Sequence, residues 1–161
     1  MQNGVYTLRC MKVEDYDQVH ELWMSIKGFG IRSIDDSREG VERFIRRNPT
    51  TSIVACVEDR IVGAILCGHD GRRACFYHVC VDEAYRKHGI GKAMAQMAME
   101  ELRKEHINKV NLIAFKSNEV GNRFWKSMGW TFREDLNYYD CTLNPDNVTN
   151  FVTEPLKNAH K

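Results

Sequence analysis

The sequence predicts a single α/β (α+β) domain, in which one mixed central sheet of about seven strands is flanked by about four helices. The first observation is size, because a chain of 161 residues fits one domain. The second is composition, since 43% hydrophobic and 28% charged residues are typical of a globular protein with a buried core. The third is patterning, because short β-branched runs lie between segments with helical periodicity.

The first part of the chain predicts one strand followed by two helices. Residues 5–9 alternate between apolar and polar, which is typical of a strand. An amphipathic helix follows, and its apolar stripe recurs at spacings of three and four residues: Tyr16, Val19, Trp23 and Ile26. Ser37 is a favourable N-cap for a second helix, which is expected to end at Asn48-Pro49.

The middle and the end of the chain predict a strand meander followed by further helices and strands. The meander consists of three apolar runs, at 52–57, 61–68 and 74–81, and Asp70-Gly71 is a strong hairpin signal between the last two. The remaining elements are a helix at about 90–105, a strand at 109–115, a helix at about 119–128 and strands at 130–133 and 138–143. We expect residues 1–144 to form the domain and residues 145–161 a polar tail that is poorly ordered or loosely docked.

The charge balance and the cysteine pattern disfavour several classes of function. With 23 basic and 22 acidic side chains the net charge is +1, which gives no general affinity for nucleic acid or for an anionic membrane. No apolar run approaches the ~20 residues of a membrane span, and the N-terminus lacks the pattern of a secretory signal, so we expect a cytoplasmic protein. The six cysteines form no CxxC pair, which favours buried thiols and no metal site.

The most informative segment is a basic, glycine-containing turn between a strand and a helix. Arg86-Lys87-His88-Gly89-Ile90-Gly91 follows the strand 74–81 and leads into the helix at about 90. The glycines bring backbone N–H groups close to a ligand, and the helix start adds unpaired N–H groups and a positive dipole end. Together with Lys92, the cationic side chains of this turn suit a pyrophosphate. The sequence Gly91-Lys92-Ala93 does not match a Walker A loop, and Met94 breaks the dinucleotide-binding pattern.

This turn resembles the acyl-CoA motif of the Gcn5-related N-acetyltransferases (GNAT). The family motif, Arg/Gln-x-x-Gly-x-Gly/Ala at a helix start after the fourth strand, is matched without a gap at 86–91. A second family signature, an Asn and then an aromatic pair before Gly-Phe, is matched with substitutions at 118–130. The predicted strand order resembles the family from about residue 5 to residue 143, and the segment 68–73 (GHDGRR) resembles the bacterial YpeA-like subgroup.

The resemblance implies that acetyl-CoA is the co-substrate and that its pantetheine arm lies in a splay between the fourth and fifth predicted strands, 74–81 and 109–115. In that arrangement the backbone of Val79 and Val81 contacts the pantetheine and the acetyl carbonyl. The resemblance places seven residues around the pyrophosphate: Arg86, Lys87, His88, Gly89, Ile90, Gly91 and Lys92. Asn118 and Trp125 are the implied contacts along the CoA arm.

The implied reaction is direct transfer of an acetyl group to a primary amine of a small molecule or a peptide. A non-catalytic acyl-CoA sensor with the same fold is the alternative. It stays open because the fourth strand carries no carboxylate base, and because Trp125 stands where many relatives have a proton-donating Tyr. Homodimers are common among relatives, so a homodimer is a further expectation.

Candidates for the catalytic groups lie on the fourth predicted strand. Period-two alternation places Cys75, Tyr77, Val79 and Val81 on one face and Phe76, His78 and Cys80 on the other. His78 is either the group that accepts the proton of the amine or a structural histidine that points into the helices. Tyr77 is a candidate acid, relay or acceptor contact, and the backbone N–H of Val81 suits the oxyanion.

One further residue is a weaker candidate for catalysis, and one loop is a candidate for binding the acceptor. Glu83 lies past the strand end and would act through water, whereas nothing in the sequence supports a covalent route through Cys75 or Cys80. The glycine-flanked segment 28–36 has the mixed character of a substrate loop, in which Arg32 suits a carboxylate and Asp35 or Asp36 an ammonium group.

Overall fold

A computed structural model describes residues 5–157, which contain seven strands and four helices. The elements up to the middle of the chain are β1 (Thr7–Cys10), α1 (Tyr16–Met24), β2 (Gly30–Arg32), α2 (Arg38–Arg47), β3 (Ile53–Val57), β4 (Arg60–His69) and β5 (Ala74–Val81). The elements after it are α3 (Ile90–Lys104), β6 (Val110–Leu112), α4 (Glu119–Ser127) and β7 (Thr149–Phe151). Single turns of 3-10 helix precede α1, at Val13–Asp15, and follow β5, at Glu83–Tyr85.

The central sheet is mixed, which confirms the predicted fold class, and it contains five strands in the order β1-β3-β4-β5-β6. All of its neighbours are antiparallel except β5 and β6, which are parallel. The strand β6 pairs only with Ala74 to Phe76, so that β5 runs on from Tyr77 to Val81 beyond the end of β6. The pairing thus ends at the place where the resemblance implies a splay between these two strands.

Helices cover both faces of the central sheet. On one face, α1 and α2 contribute Val19, Trp23, Val41 and Ile45 to a core with β3 and β4. On the other face, α3 packs through an apolar stripe of Met94, Ala98 and Leu102. The strand β4 is buried along Ile61 to Gly68 because it lies between these two cores, which explains its nearly continuous apolar sequence.

The C-terminal part of the chain differs from the prediction. Residues 130–133 and 138–143 form no strand, because alternation shows that a segment suits a sheet but not that an edge is available to it. Instead, β7 pairs with β2 in a separate two-stranded sheet. The segment beyond 144 is therefore docked: the N–H of Val152 donates to the carbonyl of Phe29 at 2.9 Å, and that of Leu156 donates to the carbonyl of Met24 at 3.0 Å. The last predicted tail residues, 158–161, lie outside the described residues.

Among residues 5–157, no helix combines the length and the apolar character that crossing a membrane requires.

The start of α2 is packed closely against the preceding loop. The hydroxyl of Ser37 accepts the N–H of Gly40 at 3.1 Å, which confirms Ser37 as the N-cap. A Cβ on Gly40 would lie 2.5 Å from the carbonyl oxygen of Asp35 and would also collide with that of Ile34. Gly40 therefore allows the helix to approach the backbone of this loop.

Replacing Gly40 by alanine is expected to destabilise the protein by about 2 kcal/mol, because two backbone carbonyls have to move. In an ordinary helix interior the same change stabilises by roughly 0.5–1 kcal/mol. The measurement is chemical unfolding. Gly91→Ala in α3 is the control, since its Cβ would make only ordinary contacts, the nearest at 3.4 Å from Phe124. Equal or higher stability of Gly40→Ala would contradict the close packing.

Candidate active site

A β-bulge in β5 determines which of its side chains face the helices α1 and α2. Leu66 of β4 pairs with Tyr77 and Ala64 pairs with Cys80, so that one residue of β4 lies opposite two residues of β5, His78 and Val79. The extra residue is accommodated by His78, whose φ is 50°. The bulge reverses the alternation of the strand from this point onward.

Because of the bulge, the predicted division of β5 into two faces is wrong beyond Tyr77. Tyr77 contacts Phe44 of α2, and His78 contacts Trp23 of α1, so both side chains lie on the face covered by these helices. Val79 and Val81 instead pack on the α3 side. Tyr77 and His78 thus lie side by side on one face, which strict alternation does not allow.

His78 forms a buried pair with a carboxylate. Its Nε2 lies 2.8 Å from Oδ1 of Asp36, and its ring packs against Trp23 and Phe29, with centroid distances of 4.8 and 4.9 Å. The other carboxylate oxygen of Asp36 accepts the N–H of Arg32 at 2.6 Å. Asp36 is therefore held on both oxygens, and it fixes the ring of His78 in one orientation.

Both interpretations of His78 have support in this environment. The ring is hydrogen-bonded and packed on the helix side, as a structural histidine would be. Its side chain is still 14% exposed, so it is not sealed inside the core. A histidine paired with a carboxylate and still partly accessible is also the arrangement in which a histidine accepts protons.

Tyr77 is a neutral phenol at physiological pH. Its side chain is half-buried, and burial, with smaller contributions from Cys75 and Tyr138, raises the pKa of Tyr77 to about 12. A group whose pKa lies that high keeps its proton over the whole neutral range. Tyr77 can therefore donate a hydrogen bond or a proton, but it does not serve as a base.

The cysteines of β5 are poor nucleophiles. Burial raises the pKa of the Cys75 thiol, and it raises the pKa of the fully buried Cys80 thiol to about 12. The reactive form of a cysteine is the thiolate, which is scarce at neutral pH under these conditions. A covalent route through either residue is accordingly disfavoured.

The turn after β5 is organised by a buried aspartate. Oδ1 of Asp82 accepts the N–H of Ala84 at 3.0 Å, and Oδ2 lies 2.9 Å from the guanidinium of Arg60. Nε of Arg86 donates to the carbonyl of Val81 at 3.1 Å, which ties the turn back to the strand. The sequence analysis did not single out Asp82, although an aspartate just before a helical turn is a recognisable capping signal.

The glycine turn forms an open concave surface of backbone N–H groups. Lys87 and Gly89 both have left-handed conformations, with φ of 65° and 78°, and Gly89 is the N-cap of α3. A Cβ built on Gly89 would meet nothing within 4 Å, so the glycine faces open space. Successive turn amides followed by the first turn of a helix make an anion-binding site. Residues 86–92 therefore have the backbone features of an anion-binding turn.

The two residues of α4 implied by the resemblance have local roles in the described structure. Oδ1 of Asn118 accepts the N–H of Gly121 at 3.0 Å and caps α4. The ring of Trp125 lies 4.7 Å from that of Trp130 and 6.0 Å from that of Phe76 on β5. Trp125 therefore packs beside the first half of β5, and Asn118 lies at the opposite end of the helix.

The segment 28–36, predicted as a substrate loop, contacts the C-terminal part of the chain. Asp36 is buried against His78 and does not face solvent, so of the two candidate aspartates only Asp35 is exposed. Asp35 accepts a hydrogen bond from the side-chain amide of Asn147 at 2.8 Å. Arg32 remains exposed at the end of β2. The contribution of Asn147 has no local signal in the sequence, because it comes from more than 100 residues away.

A cleft of about 680 Å³ adjoins the glycine turn. Its walls come from the end of α1, the turn after β5 and the C-terminal segment: Ser25, Ile26, Lys27, Asp82, Glu83, Ala84, Arg86, Pro155, Leu156 and Lys157. Glu83, the weaker candidate for a base, thus lines this cleft and lies away from the bulge.

Comparison with known families agrees with this geometry. The model of the acetyltransferase (GNAT) family matches residues 16–130, which include the helices α1 to α4 and the central strands β3 to β6. The chain belongs to this family. The resemblance drawn from residues 86–91 and 118–130 is thereby confirmed, and this GNAT protein is an acyltransferase with acetyl-CoA as its co-substrate.

Individual relatives are more distant. This GNAT protein is 25% identical over 129 residues to an acetyltransferase of Sodalis glossinidius, covering 80% of this chain and 89% of the relative. Its fold is similar to that of the PaiA N-acetyltransferase of Thermoplasma acidophilum in complex with coenzyme A, with a TM-score of 0.66, 17% identity and coverage of 77% and 88%. It is also similar to an aminoglycoside acetyltransferase from an uncultured soil metagenomic sample, with a TM-score of 0.66, 20% identity and coverage of 89% and 99%. The YpeA-like subgroup stays a prediction.

The thiols of Cys67, Cys75 and Cys80 are expected to resist alkylation by iodoacetamide at pH 8, because burial raises the pKa of each. Mass spectrometry of the native protein should find them unmodified, and all three should react after unfolding in guanidinium chloride. Alkylation of Cys75 or Cys80 in the native protein at the rate of a free thiol would restore the covalent route.

Proposed function

We propose that this protein transfers the acetyl group of acetyl-CoA directly to a primary amine of a small molecule or a peptide. The observation that carries the proposal is the bulge of β5. It places the His78–Asp36 pair and Tyr77 on one face, while the same strand leads directly into the glycine turn. The proposed proton acceptor His78, the proposed donor Tyr77 and the proposed anion-binding turn 86–92 thus belong to one continuous segment.

In this proposal the turn binds the pyrophosphate of CoA. The N–H groups of the glycine turn and of the first turn of α3 would bind the phosphates, except that of Arg86, which donates to the carbonyl of Glu83 at 3.4 Å. The side chains of Arg86, Lys87, His88 and Lys92 supply positive charge. The pantetheine arm follows Val79 and Val81 into the splay beyond the end of β6. Asn118 and Trp125 on α4 are assigned to the other side of the arm.

The N–H of Val81 is suited to stabilise the oxyanion. The N–H of Asp82 donates to Val62 of β4 at 2.8 Å, and successive amides of a strand point to opposite sides. The N–H of Val81 therefore points away from β4, into the region beyond the end of β6. A backbone donor of this kind stabilises the negative charge that develops on the thioester oxygen.

Acetyl transfer then takes place in a single displacement. The neutral amine attacks the thioester carbonyl and forms a C–N bond, and the oxygen becomes negative against the N–H of Val81. His78 accepts the proton of the amine, directly or through one water, and Asp36 balances the charge of the imidazolium. The C–S bond breaks when the carbonyl re-forms, and the CoA thiolate is a tolerable leaving group because a thiol pKa is about 8.5. Tyr77 donates a hydrogen bond on the same face, where its neutral phenol contacts the acceptor.

His78→Ala and Asp36→Asn are expected to lower kcat about 10²–10³-fold, with smaller changes in KM, because each removes part of the proton acceptor. Tyr77→Phe should lower kcat/KM about tenfold. Thiol release from acetyl-CoA with a panel of amines measures these rates. His106→Asn is the matched control, since His106 is an exposed histidine with φ of 59° at the end of α3. Activity of His78→Ala within twofold of the wild type would remove His78 from the mechanism.

Gly89→Val is expected to weaken acetyl-CoA binding by tenfold or more, because a side chain there enters the space of the phosphates. Gly71→Val is a close control: its φ is 86°, and a Cβ on it also meets nothing within 4 Å, but it lies in the β4–β5 hairpin. Both variants should lose about 1–2 kcal/mol of stability from the left-handed conformation. Calorimetric titration with acetyl-CoA, and separately with ATP, distinguishes them. Equal binding of acetyl-CoA by the two variants would contradict the assignment of residues 86–92 to the pyrophosphate.

The titrations and the thiol-release assay together distinguish an enzyme from a non-catalytic acyl-CoA sensor. Micromolar binding of acetyl-CoA together with thiol release supports the enzyme, and binding without turnover across the amine panel supports the sensor. Membership of an acetyltransferase family favours the enzyme. We also propose a cytoplasmic location, which agrees with the cysteines being free thiols among the described residues.

A further inference from the structure

The arginine at the end of β2 keeps its guanidinium available to an external group. Arg32 is exposed, and among residues 5–157 its side chain makes no hydrogen bond or ion pair. By contrast, the guanidinium groups of Arg9 and Arg60 are each bound to a buried aspartate. A guanidinium presents several N–H donors in one plane, an arrangement that matches the two oxygens of a carboxylate. Exposure alone does not distinguish Arg32 from other surface arginines, but its position does.

The backbone of Arg32 is tied to the pair that accepts the proton in the proposed reaction. Its N–H donates to Oδ2 of Asp36 at 2.6 Å, and Oδ1 of the same carboxylate lies 2.8 Å from Nε2 of His78. Only one carboxylate therefore separates the backbone of Arg32 from the imidazole. Because Asp36 is buried and bonded through both oxygens, these contacts fix the position of Arg32 relative to His78.

The side chain of Arg32 lies on the face of the β2–β7 sheet that is turned away from the core. Ile31 packs against the core that contains α1 and α2, and successive residues of a strand point to opposite faces, so Gly30 and Arg32 lie on the other face. Phe151, the partner of Gly30, shares this face, and its ring lies 6.1 Å from that of Phe115, which follows β6. This face therefore borders the region beyond the end of β6, where β5 has lost its parallel neighbour.

The charge of Arg32 also reaches Tyr77, the proposed donor. Burial raises the pKa of Tyr77 to about 12, and the positive charge of Arg32 acts on this phenol in the opposite direction, so the two side chains are near each other. The phenol of Tyr77 keeps its proton at neutral pH and is a hydrogen-bond donor. A guanidinium and a neutral phenol together favour a negative group at this place and disfavour a second ammonium group.

The two carboxylates of the segment 28–36 already have hydrogen-bond partners within the chain. Asp36 is buried against His78, and Oδ2 of Asp35 accepts the side-chain N–H of Asn147 at 2.8 Å. An amine with several positive charges needs carboxylates that are free to pair with them. An acceptor that brings its own carboxylate matches this segment better, because the guanidinium of Arg32 is the group left without a partner among the described residues.

We propose that the acceptor is an amine that also carries a carboxylate, and that Arg32 binds this carboxylate while His78 receives the proton of the amine. A carboxylate fits better than a phosphate dianion because one guanidinium balances one negative charge. The inference rests on the proposed function, since it names the class of acceptor for that reaction. Arg32 contacts the part of the acceptor that does not react, so it determines the choice of amine and leaves the binding of acetyl-CoA unchanged.

The first test measures thiol release from acetyl-CoA with amines in matched pairs, such as β-alanine with β-alaninamide and glycylglycine with glycylglycinamide. The ratio of kcat/KM for the acid to that for the amide should fall about 10–100-fold in Arg32→Gln, because a charged hydrogen-bonding partner is lost. Comparing this ratio between proteins cancels the different basicity of the two amines. Arg32→Lys keeps the charge without the planar fork and should give an intermediate ratio. Arg103→Gln is the control, since Arg103 is exposed on α3, which covers the opposite face of the sheet.

Three results of this test would overturn the inference. The first is an equal acid-to-amide ratio in the wild type and Arg32→Gln. The second is weaker binding of acetyl-CoA by Arg32→Gln, which would assign Arg32 to the co-substrate. The third is a larger preference for phosphoethanolamine over ethanolamine than for β-alanine over β-alaninamide, which would replace the carboxylate by a phosphate. In the first and third cases thiol release itself shows that the proposed acetyl transfer stands.

The second test measures binding without turnover. N-acetyl-β-alanine and its amide, the products of one pair, are titrated into the protein saturated with CoA, and ligand-observed NMR gives their affinities. The wild type should bind the acid at least tenfold more tightly than the amide, and Arg32→Gln should bind the two equally. This preference in a protein that releases no thiol with any amine would support the carboxylate site and contradict the proposed enzyme. Equal binding of acid and amide by the wild type, or binding of neither, would overturn the carboxylate site whether or not the protein is an enzyme.

Discussion

The single extra residue in β5 is the constraint on which the rest of the site depends. Without the bulge, His78 would follow Phe76 onto the α3 face and Val79 would follow Tyr77 onto the acceptor face. With it, the strand presents two polar side chains to α1 and α2 and two valines to α3. A histidine at positive φ costs about 1–2 kcal/mol. The contacts of its ring with Trp23, Phe29 and Asp36 offset this cost. Strain of this kind is typical of functional positions.

The carboxylate that faces His78 is itself positioned by three elements. The hydroxyl of Tyr16 in α1 donates to the carbonyl of Asp36 at 2.7 Å, and the N–H of Arg32 in β2 donates to its side chain. Gly40 then lets α2 approach the loop that contains Asp36. Helix α1, strand β2 and helix α2 therefore meet at one residue. The loop that carries Asp36 is therefore held at several points, although it is a connecting segment.

The sequence could predict the features that depend on residues close together in the chain. The helices were found from local spacing and capping, as Ser37 illustrates, and the glycine turn was found because its chemistry lies within seven residues. The bulge was missed because it depends on the register between Leu66 and Tyr77, which are paired only in the folded sheet. The pairing of His78 with Asp36, 42 positions apart, was missed for the same reason. The two final strands were predicted from alternation alone, which carries no information about an available edge.

The pairing of β2 with β7 has a consequence for the order in which the protein matures. Gly30 pairs with Phe151, about 120 residues later, so this two-stranded sheet closes almost the longest loop that the chain allows. Contacts between such distant residues form late in folding, because the entropy of closing the loop has to be overcome first. The pairing involves three residues on each strand and is largely exposed, so it is also among the least costly parts of the structure to open locally. The pairing of β2 with β7 is therefore expected to form after the central sheet. In the folded protein this small sheet can open locally while the central sheet stays intact, because the two sheets share no strand.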